Sequence, residues 1–307
     1  MHILIAGATG AAGHALIPHL IENGHTVTGT TRDMAKFAQI EALGATPVVM
    51  DGLDADSVKS AVEQARPDVI VHQMTALTGI DMKNIDRAFA TTNRLRTEGT
   101  EHLIAAKRPE TRFIAQSFAG WPYARTGGPI KTEQDPLDPD PPKGIRETHA
   151  AIRRLEELTV SAQGIVLRYG GFYGPNTGLA PDGEQATMIR ERKFPLVGSG
   201  EGMISMLHMD DLASGTLAAI EHGRPGEIYN IVDDEPAPAR EWLPFLAKGL
   251  GAPPPRKVPA WLVKLVASPA AVAMMTQARG ASNAKAKREL HWTPSQPSWR
   301  KGFAKTA

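Results

Sequence analysis

The residues best suited to binding chemistry stand close together at the start of the chain: Gly7, Thr9, Gly10, Ala11, Ala12 and Gly13. They lie between the apolar run Ile3-Leu4-Ile5-Ala6 and the helix-like Ala15-Leu16-Ile17 to Leu20-Ile21. A strand that breaks into glycines and re-emerges as a helix brings the free N–H groups of the helix start to a small space above the sheet edge. That space favours the pyrophosphate of a dinucleotide. Gly7 makes the tight turn, Gly10 lets the backbone approach the phosphates, and Gly13 lets the helix press on the strand. A second group closes the β-branched stretch HTVTGTT: Thr31-Arg32 stands where an acidic residue would accept from ribose hydroxyls. A guanidinium beside a hydroxyl suits a 2′-phosphate, so NADP is favoured, with NAD as the alternative. A third is Ser117, preceded by Gln116, at the C-terminal end of an apolar stretch, where open α/β sheets place their chemistry. Trp121, Tyr123 and Arg125 follow closely enough to overhang a substrate pocket.

These groups need a scaffold, and the hydrophobic pattern supplies one. Stretches 25–31, 46–50, 68–72 and 111–117 read as strands. Between them, helices are expected over 34–43 with Asp33 as N-cap, over 55–65, and over 84–106. Alternation of this kind argues for a parallel sheet with helices on both faces. Residues 118–145, rich in glycine and proline, read as a long loop before a helix over 146–162. Further on, Asp210 or Asp211 reads as the N-cap of a helix over 212–221, followed by a strand over 227–232 and a helix over 239–250.

A chain of 307 residues, 42% hydrophobic, can bury a sizeable core. Its net charge of +1 points to no polyanionic partner, and its short basic clusters make no nucleic-acid footprint. With no cysteine, disulfides and thiolate metal sites are excluded, which fits a reducing cytoplasm. There is no His-Glu-x-x-His, so no metal site is expected, and Ser117 lacks the Gly-x-Ser-x-Gly setting of a hydrolase nucleophile. The opening residues read as a core strand and not a signal peptide. Trp261 to Met275, interrupted by Lys264 and Pro269, is too short to span a bilayer.

The spacing Gly7-x-x-Gly10-x-x-Gly13 with Thr9 inside it resembles the short-chain dehydrogenase/reductase superfamily, in particular its extended, epimerase/dehydratase-like branch. The resemblance returns in Gly164-Ile-Val-Leu-Arg168-Tyr169-Gly170-Gly171-Phe172-Tyr173-Gly174-Pro175 and in Asn283 to Pro294. It implies that Asp51, with Gly52 and Leu53, meets the adenine and that Met74, Thr75 and Ala76 line the ribose side. It implies that Ser117 hydrogen-bonds the reacting oxygen, and that the turn from Tyr169 through Phe172 packs on the nicotinamide while Asn176 and Thr177 face substrate. It also implies a homodimer through helices 96–106 and 146–162.

Two departures stand out. Arg96 occupies the asparagine position of the family's Asn-x-x-Gly-Thr, and the helix that should carry Tyr-x-x-x-Lys has neither residue. Aligning the following acid on Glu156 puts Thr148 and Ile152 in the catalytic slots. Sliding to Glu157 puts His149 and Arg153 there, on one helical face, with Arg153 reaching the ribose and keeping His149 neutral. The candidate proton donors are then His149, Tyr123 and Tyr173.

The expected fold is an α/β, doubly wound (Rossmann), mostly parallel sheet with a smaller C-terminal substrate-binding lobe. Residues 1–175 form the core, with a strand and helix returning at about 206–232, and 176–205 with 233–307 form the lobe. The expected function is NADP-dependent hydride transfer to or from a small carbonyl-type or activated double-bond substrate. A nucleotide-sugar epimerase/dehydratase and a non-catalytic NADP(H)-binding regulatory protein are the alternatives. Neither nucleic acid nor membrane is an expected partner.

Overall fold

The structure is a computed structural model that describes residues 1–76 and 84–304, with the backbone alone at 265, 266 and 304. Seven strands, His2–Ala6 (β1), Thr26–Thr31 (β2), Thr46–Val49 (β3), Val69–His72 (β4), Arg112–Phe118 (β5), Ile165–Tyr169 (β6) and Ile228–Ile231 (β7), form one sheet in the order β7-β6-β5-β4-β1-β2-β3. Every pairing in it is parallel. The chain therefore reverses its direction of winding between β1 and β4, and open sheets of this kind bind ligands outside the strand ends at that point.

Burial on both faces explains the near-continuous apolar runs. On one face, helix Ala11–Glu22 (α1) lays Leu16, Ile17 and Leu20 over Ile3, Ile5 and Val71, beside Leu212 and Ile220 of a later helix. On the other, Val58 and Val62 of helix Ala55–Ala65 (α2), Leu103 and Leu155 pack on Leu4, Ile70 and Phe113. Leu155 belongs to helix Arg146–Ser161 (α3). A further apolar cluster gathers Leu179, Ile189, Leu196, Trp242, Leu246, Trp299 and Phe303 away from the sheet.

Two expectations are revised. The helix over 84–106 is divided into Ile85–Ala88, Ala90–Arg94, a π-helical turn Leu95–Gly99, and Thr100–Ala106. The wider turn lets the Leu95 carbonyl meet His72 Nε2 at 3.2 Å. The N-cap of helix Met209–His222 (α4) is His208, whose Nδ1 accepts from the Asp210 amide at 3.2 Å. Asp211 is buried inside the first turn, accepting from the backbone of Ser295 and Gln296 at 2.6 and 2.9 Å, so it clamps the C-terminal segment instead. Loop 118–145 is tied down at several points. Arg125 pairs with Asp138 at 2.7 Å, and Ile130–Lys131 forms a parallel pair with Gly280–Ala281.

Residues 261–275 form parts of two short helices, Ala260–Val266 and Pro269–Thr276, the second capped by Ser268. No helix among the described residues is long and apolar enough to cross a membrane.

Candidate active site

The glycine loop joins β1 to α1 at the winding reversal. Gly7 has φ +97°, and a Cβ there would lie 2.9 Å from the Gln73 backbone. Gly13 is more constrained, since its Cβ would lie 2.1 Å from the Ala8 carbonyl oxygen. Gly10 differs from both: a Cβ would meet only the Gly7 oxygen, at 3.6 Å, so the space above it is open. Gly10 is also the N-cap of α1 and supplies no side chain to the first turn, while Thr9 and Ala11 are half-buried and Ala12 is buried. An uncapped helix start facing open space, held by two glycines that admit no side chain, fits a diphosphate.

The next loops line the same edge. Thr31 is buried and its hydroxyl accepts from the Asp33 amide at 3.2 Å, while Arg32 is exposed. Asp33, the nearest acid, caps the turn Met34–Lys36 through the Ala35 amide at 2.9 Å. Asp51 accepts from the Leu53 amide at 3.0 Å, and Gly52 is pressed against Met74, whose sulfur would lie 2.5 Å from an added Cβ. Thr75 is exposed, and the Ala76 amide donates to Thr92 Oγ1 at 2.9 Å. At the end of β4, His72 is buried and its pKa is pulled down to about 4 by burial, against the pull of the Leu95 carbonyl. It is neutral, with Nδ1 accepting from the Met74 amide and Nε2 carrying the proton.

Beneath the end of β5 lies a buried polar network. Ser117 Oγ donates to Glu156 Oε1 at 2.6 Å. Arg168 donates to both Glu156 oxygens, from Nε at 2.8 Å and Nη2 at 2.6 Å, and to the Tyr123 hydroxyl at 3.0 Å. The Tyr123 hydroxyl in turn donates to Asn230 Oδ1 of β7 at 2.7 Å. Burial would pull the Arg168 pKa down, but the Glu156 carboxylate overrides it and raises it. Ser117 and Tyr123 are 2% and 0% exposed, so both hydroxyls serve this network. This corrects the expectation that they reach a reacting atom.

The same network decides the register of α3. Glu156 is buried and paired with Arg168, whereas Glu157 is exposed, which is the arrangement the first register, with Thr148 and Ile152 in the catalytic slots, calls for. The Thr148 hydroxyl donates to Asp86 at 2.8 Å and accepts from Asn93 at 3.1 Å. Arg153 lies on the exposed side of α3 and donates to the Asp138 carbonyl at 3.2 Å, which corrects its expected place on the ribose. His149 Nε2 is hydrogen-bonded to the Pro122 carbonyl at 2.9 Å, and its pKa is lowered by burial first and by Arg153 second. It is a buried side chain held against the Pro122 carbonyl.

The remaining candidates divide. Tyr169 is a core residue: its hydroxyl meets Gln73 and Thr216 at 3.2 and 2.7 Å, and burial pushes its pKa up to about 12. After it, Gly170 is buried, and Gly171 and Phe172 are half-buried. Gln116 is half-buried beside Ser117. Tyr173 sits in the apolar cluster away from the sheet, between His208 and Phe303, and burial raises its pKa. It is not brought together with Ser117, Tyr123 and His149. Asn176, at φ +61°, is exposed on a pocket shared with His208 and Gly302, and the Thr177 hydroxyl donates to the Gly174 carbonyl at 2.7 Å. Trp121 is half-buried, its ring 5.7 Å from that of Phe118.

Sequence reasoning assigned no role to Glu156, Arg168 or Asn230. The signal was the arginine in Leu167-Arg168-Tyr169, an unneutralised charge inside an apolar strand that demands a buried acid.

Comparison with known proteins adds the family. The profile of the NAD dependent epimerase/dehydratase family matches residues 3–232. A 3-diazoavenalumate denitrifying reductase from a Streptomyces species is 44% identical over 310 residues, covering 99% of this chain and 100% of that protein. A 2-alkyl-3-oxoalkanoate reductase from Stenotrophomonas maltophilia is 26% identical over 82% of this chain and 77% of its own length. Among solved structures, UDP-glucose 4-epimerase from Thermotoga maritima superposes with a TM-score of 0.78 at 21% identity, covering 100% of this chain and 97% of that one, a likeness of fold. A dinucleotide cradle at the winding reversal, the matched profile and the reductase relatives agree: the chain is an NAD(P)-dependent oxidoreductase and belongs to the NAD dependent epimerase/dehydratase family.

Proposed function

We propose that the protein is an NADPH-dependent reductase that replaces a diazo group on an aromatic acid with hydrogen. The observation that carries this reading is that α3, Arg146–Ser161, contains neither tyrosine nor lysine; with Thr148 and Ile152 taken as the residues in the slots of the family's acid–base pair, neither can supply a proton at neutral pH. Carbonyl reduction needs a proton at the new hydroxyl, and general acid help is worth about 10²–10⁴-fold. Reductive loss of nitrogen does not. When bound, the reduced nicotinamide supplies a hydride, and the net change is Ar–N₂⁺ + H⁻ → Ar–H + N₂, with no proton drawn from the protein. The relative at 44% identity, named for a diazo-bearing acid anion and for its denitrifying reduction, supports the same reading.

In this reading the backbone of Gly7, Thr9, Gly10, Ala11, Ala12 and Gly13 holds the diphosphate, and Arg32 with Thr31 takes the 2′-phosphate. Asp51, Gly52 and Leu53 border the adenine, and Met74, Thr75 and Ala76 border the ribose. Gly170, Gly171 and Phe172 border the nicotinamide, and Trp121 overhangs the substrate. NADPH is favoured over NADH because Arg32 is exposed with no carboxylate paired to it among the described residues, while Asp33 is occupied in capping.

The test uses diazotised 3-aminocinnamic acid with NADPH or NADH deuterated at the transferring position. The expected result is cinnamate carrying deuterium at ring carbon 3, with oxidised cofactor and N₂ formed in equal amounts and NADPH preferred about tenfold or more. Absence of deuterium in the product, or faster turnover of a 3-oxo acid, refutes the reading. Cofactor binding with no turnover of either substrate supports the regulatory alternative.

A further inference from the structure

Two arginines are buried beside the strand ends, and they are treated differently. Arg168, 3% exposed, holds the Glu156 carboxylate through both Nε and Nη2. Arg96, 4% exposed, has none: among the described residues the one hydrogen bond of its guanidinium is from Nη1 to the Asn93 side-chain oxygen, at 3.2 Å. Its guanidinium carbon lies 5.1 Å from the centre of the Phe118 ring and 5.6 Å from that of Phe89. A buried cation without a counter-ion is costly, and aromatic faces offset only part of that cost. Burial lowers its pKa to about 9, so it keeps its charge at neutral pH.

Its place is informative. Arg96 lies in the π-helical turn whose Leu95 carbonyl touches His72 at the end of β4, and its aromatic neighbour Phe118 ends β5. Asn93 links it through the Thr148 hydroxyl to Asp86, so its orientation is fixed from behind. The guanidinium thus stands at the edge where the nicotinamide end of a dinucleotide falls in sheets of this winding, walled by Phe89, Phe118 and Trp121.

We infer that Arg96 is the anion-recognition residue of the substrate site, receiving the carboxylate of a flat, conjugated acid whose hydrocarbon part lies against Phe118 and Trp121. This rests on the reductase reading for the identity of the acid, but not for the binding of a carboxylate. A fork of N–H donors set among aromatic rings pairs well with a planar carboxylate, and the acid supplies the missing counter-charge.

The experiment measures binding, not turnover. Calorimetry of the NADP⁺-loaded protein compares cinnamate with cinnamamide, which has the same shape without the charge. The expected result is a preference for cinnamate of about tenfold or more in the native protein. It should vanish in Arg96→Asn, with NADP⁺ affinity unchanged, and partly return in Arg96→Lys. The asparagine variant is chosen because related chains carry that residue at this turn, and circular dichroism checks its fold. Should Arg96→Asn fail to fold, the native preference and the Arg96→Lys variant decide. Equal binding of acid and amide by the native protein, or an undiminished preference in a folded variant, overturns the inference. A loss of NADP⁺ affinity in Arg96→Asn also overturns it, by assigning the charge to the cofactor. Preference for cinnamate without turnover of the diazonium acid would sink the reaction proposed above while leaving the subsite standing.

Discussion

Replacing Glu156 by glutamine should remove a large share of the protein's stability. The carboxylate accepts three short hydrogen bonds, two from Arg168 and one from Ser117, at 2.6–2.8 Å. Its side chain is 7% exposed and that of Arg168 is 4%. Glu156→Gln leaves the guanidinium charged and buried without a counter-charge, with one amide oxygen and the Tyr123 hydroxyl as acceptors and an amide NH₂ set against one of its N–H donors. Breaking a buried pair from one side costs about 3–5 kcal/mol. Domains are commonly stable by only about 5–15 kcal/mol. Arg168→Met should cost a similar amount, because it strands the anion. The double variant Glu156→Leu with Arg168→Met strands no charge. It should lose only about 1–2 kcal/mol, chiefly from the Ser117 and Tyr123 hydroxyls left short of a partner. Urea unfolding at one protein concentration, with cofactor absent, reads these proteins together with the single Glu156→Leu, which closes the cycle with Arg168→Met and the double variant. Single losses below about 1 kcal/mol, or a double loss equal to the sum of the singles, would refute the assignment of this network as a buried, mutually compensating pair.

Two other outcomes follow from the geometry. His72 is held neutral in the fold near a pKa of about 4, against 6.5 when free, so its contribution is fully present above about pH 6.5 and is lost as pH falls towards 4. Between about pH 7 and pH 5 that amounts to about 2 kcal/mol, and urea titrations at both values should show a smaller drop in His72→Gln than in the native protein. In the glycine loop, Gly13→Ala should fail to fold stably, its methyl being forced to 2.1 Å from the Ala8 carbonyl oxygen. Gly10→Ala should fold normally yet bind NADPH about tenfold or more weakly, because its methyl enters the open space where the phosphates approach; thermal melting and calorimetry separate the two effects.

Much of the scaffold was legible because the strands other than the edge strand β3 are largely buried on both faces and most breaks carry glycine or proline. The run Ile3–Ala6 followed by three spaced glycines specified the reversal point and its ligand class without reference to anything distant. The site was less legible, for identifiable reasons. Glu156 and Glu157 are adjacent in sequence but about 100° apart around a helix, and only the packing of α3 on the sheet decides which one meets Arg168. Ser117 stands at the expected strand end, yet its direction depends on which face α3 covers. Strand periodicity fixes alternation and not the identity of the covering element. Tyr123 and Asn230 are over a hundred positions apart, and no local pattern links them. Arg96 was visible as a departure from Asn-x-x-Gly-Thr, but its burial between two phenylalanines was not.

The outermost strand of the sheet, residues 228–231, arrives after the chain has already left for the second apolar cluster and come back. Asn230 of that strand caps the line of contacts that begins at Ser117. A fragment ending near residue 175 would therefore present a raw β6 edge to other molecules and leave the Tyr123 hydroxyl without its acceptor. Nascent chains face the same exposure until residue 231 has emerged. The nucleotide-binding half is in this sense a product of the whole polypeptide, and excising it should yield an aggregating piece, not a portable module.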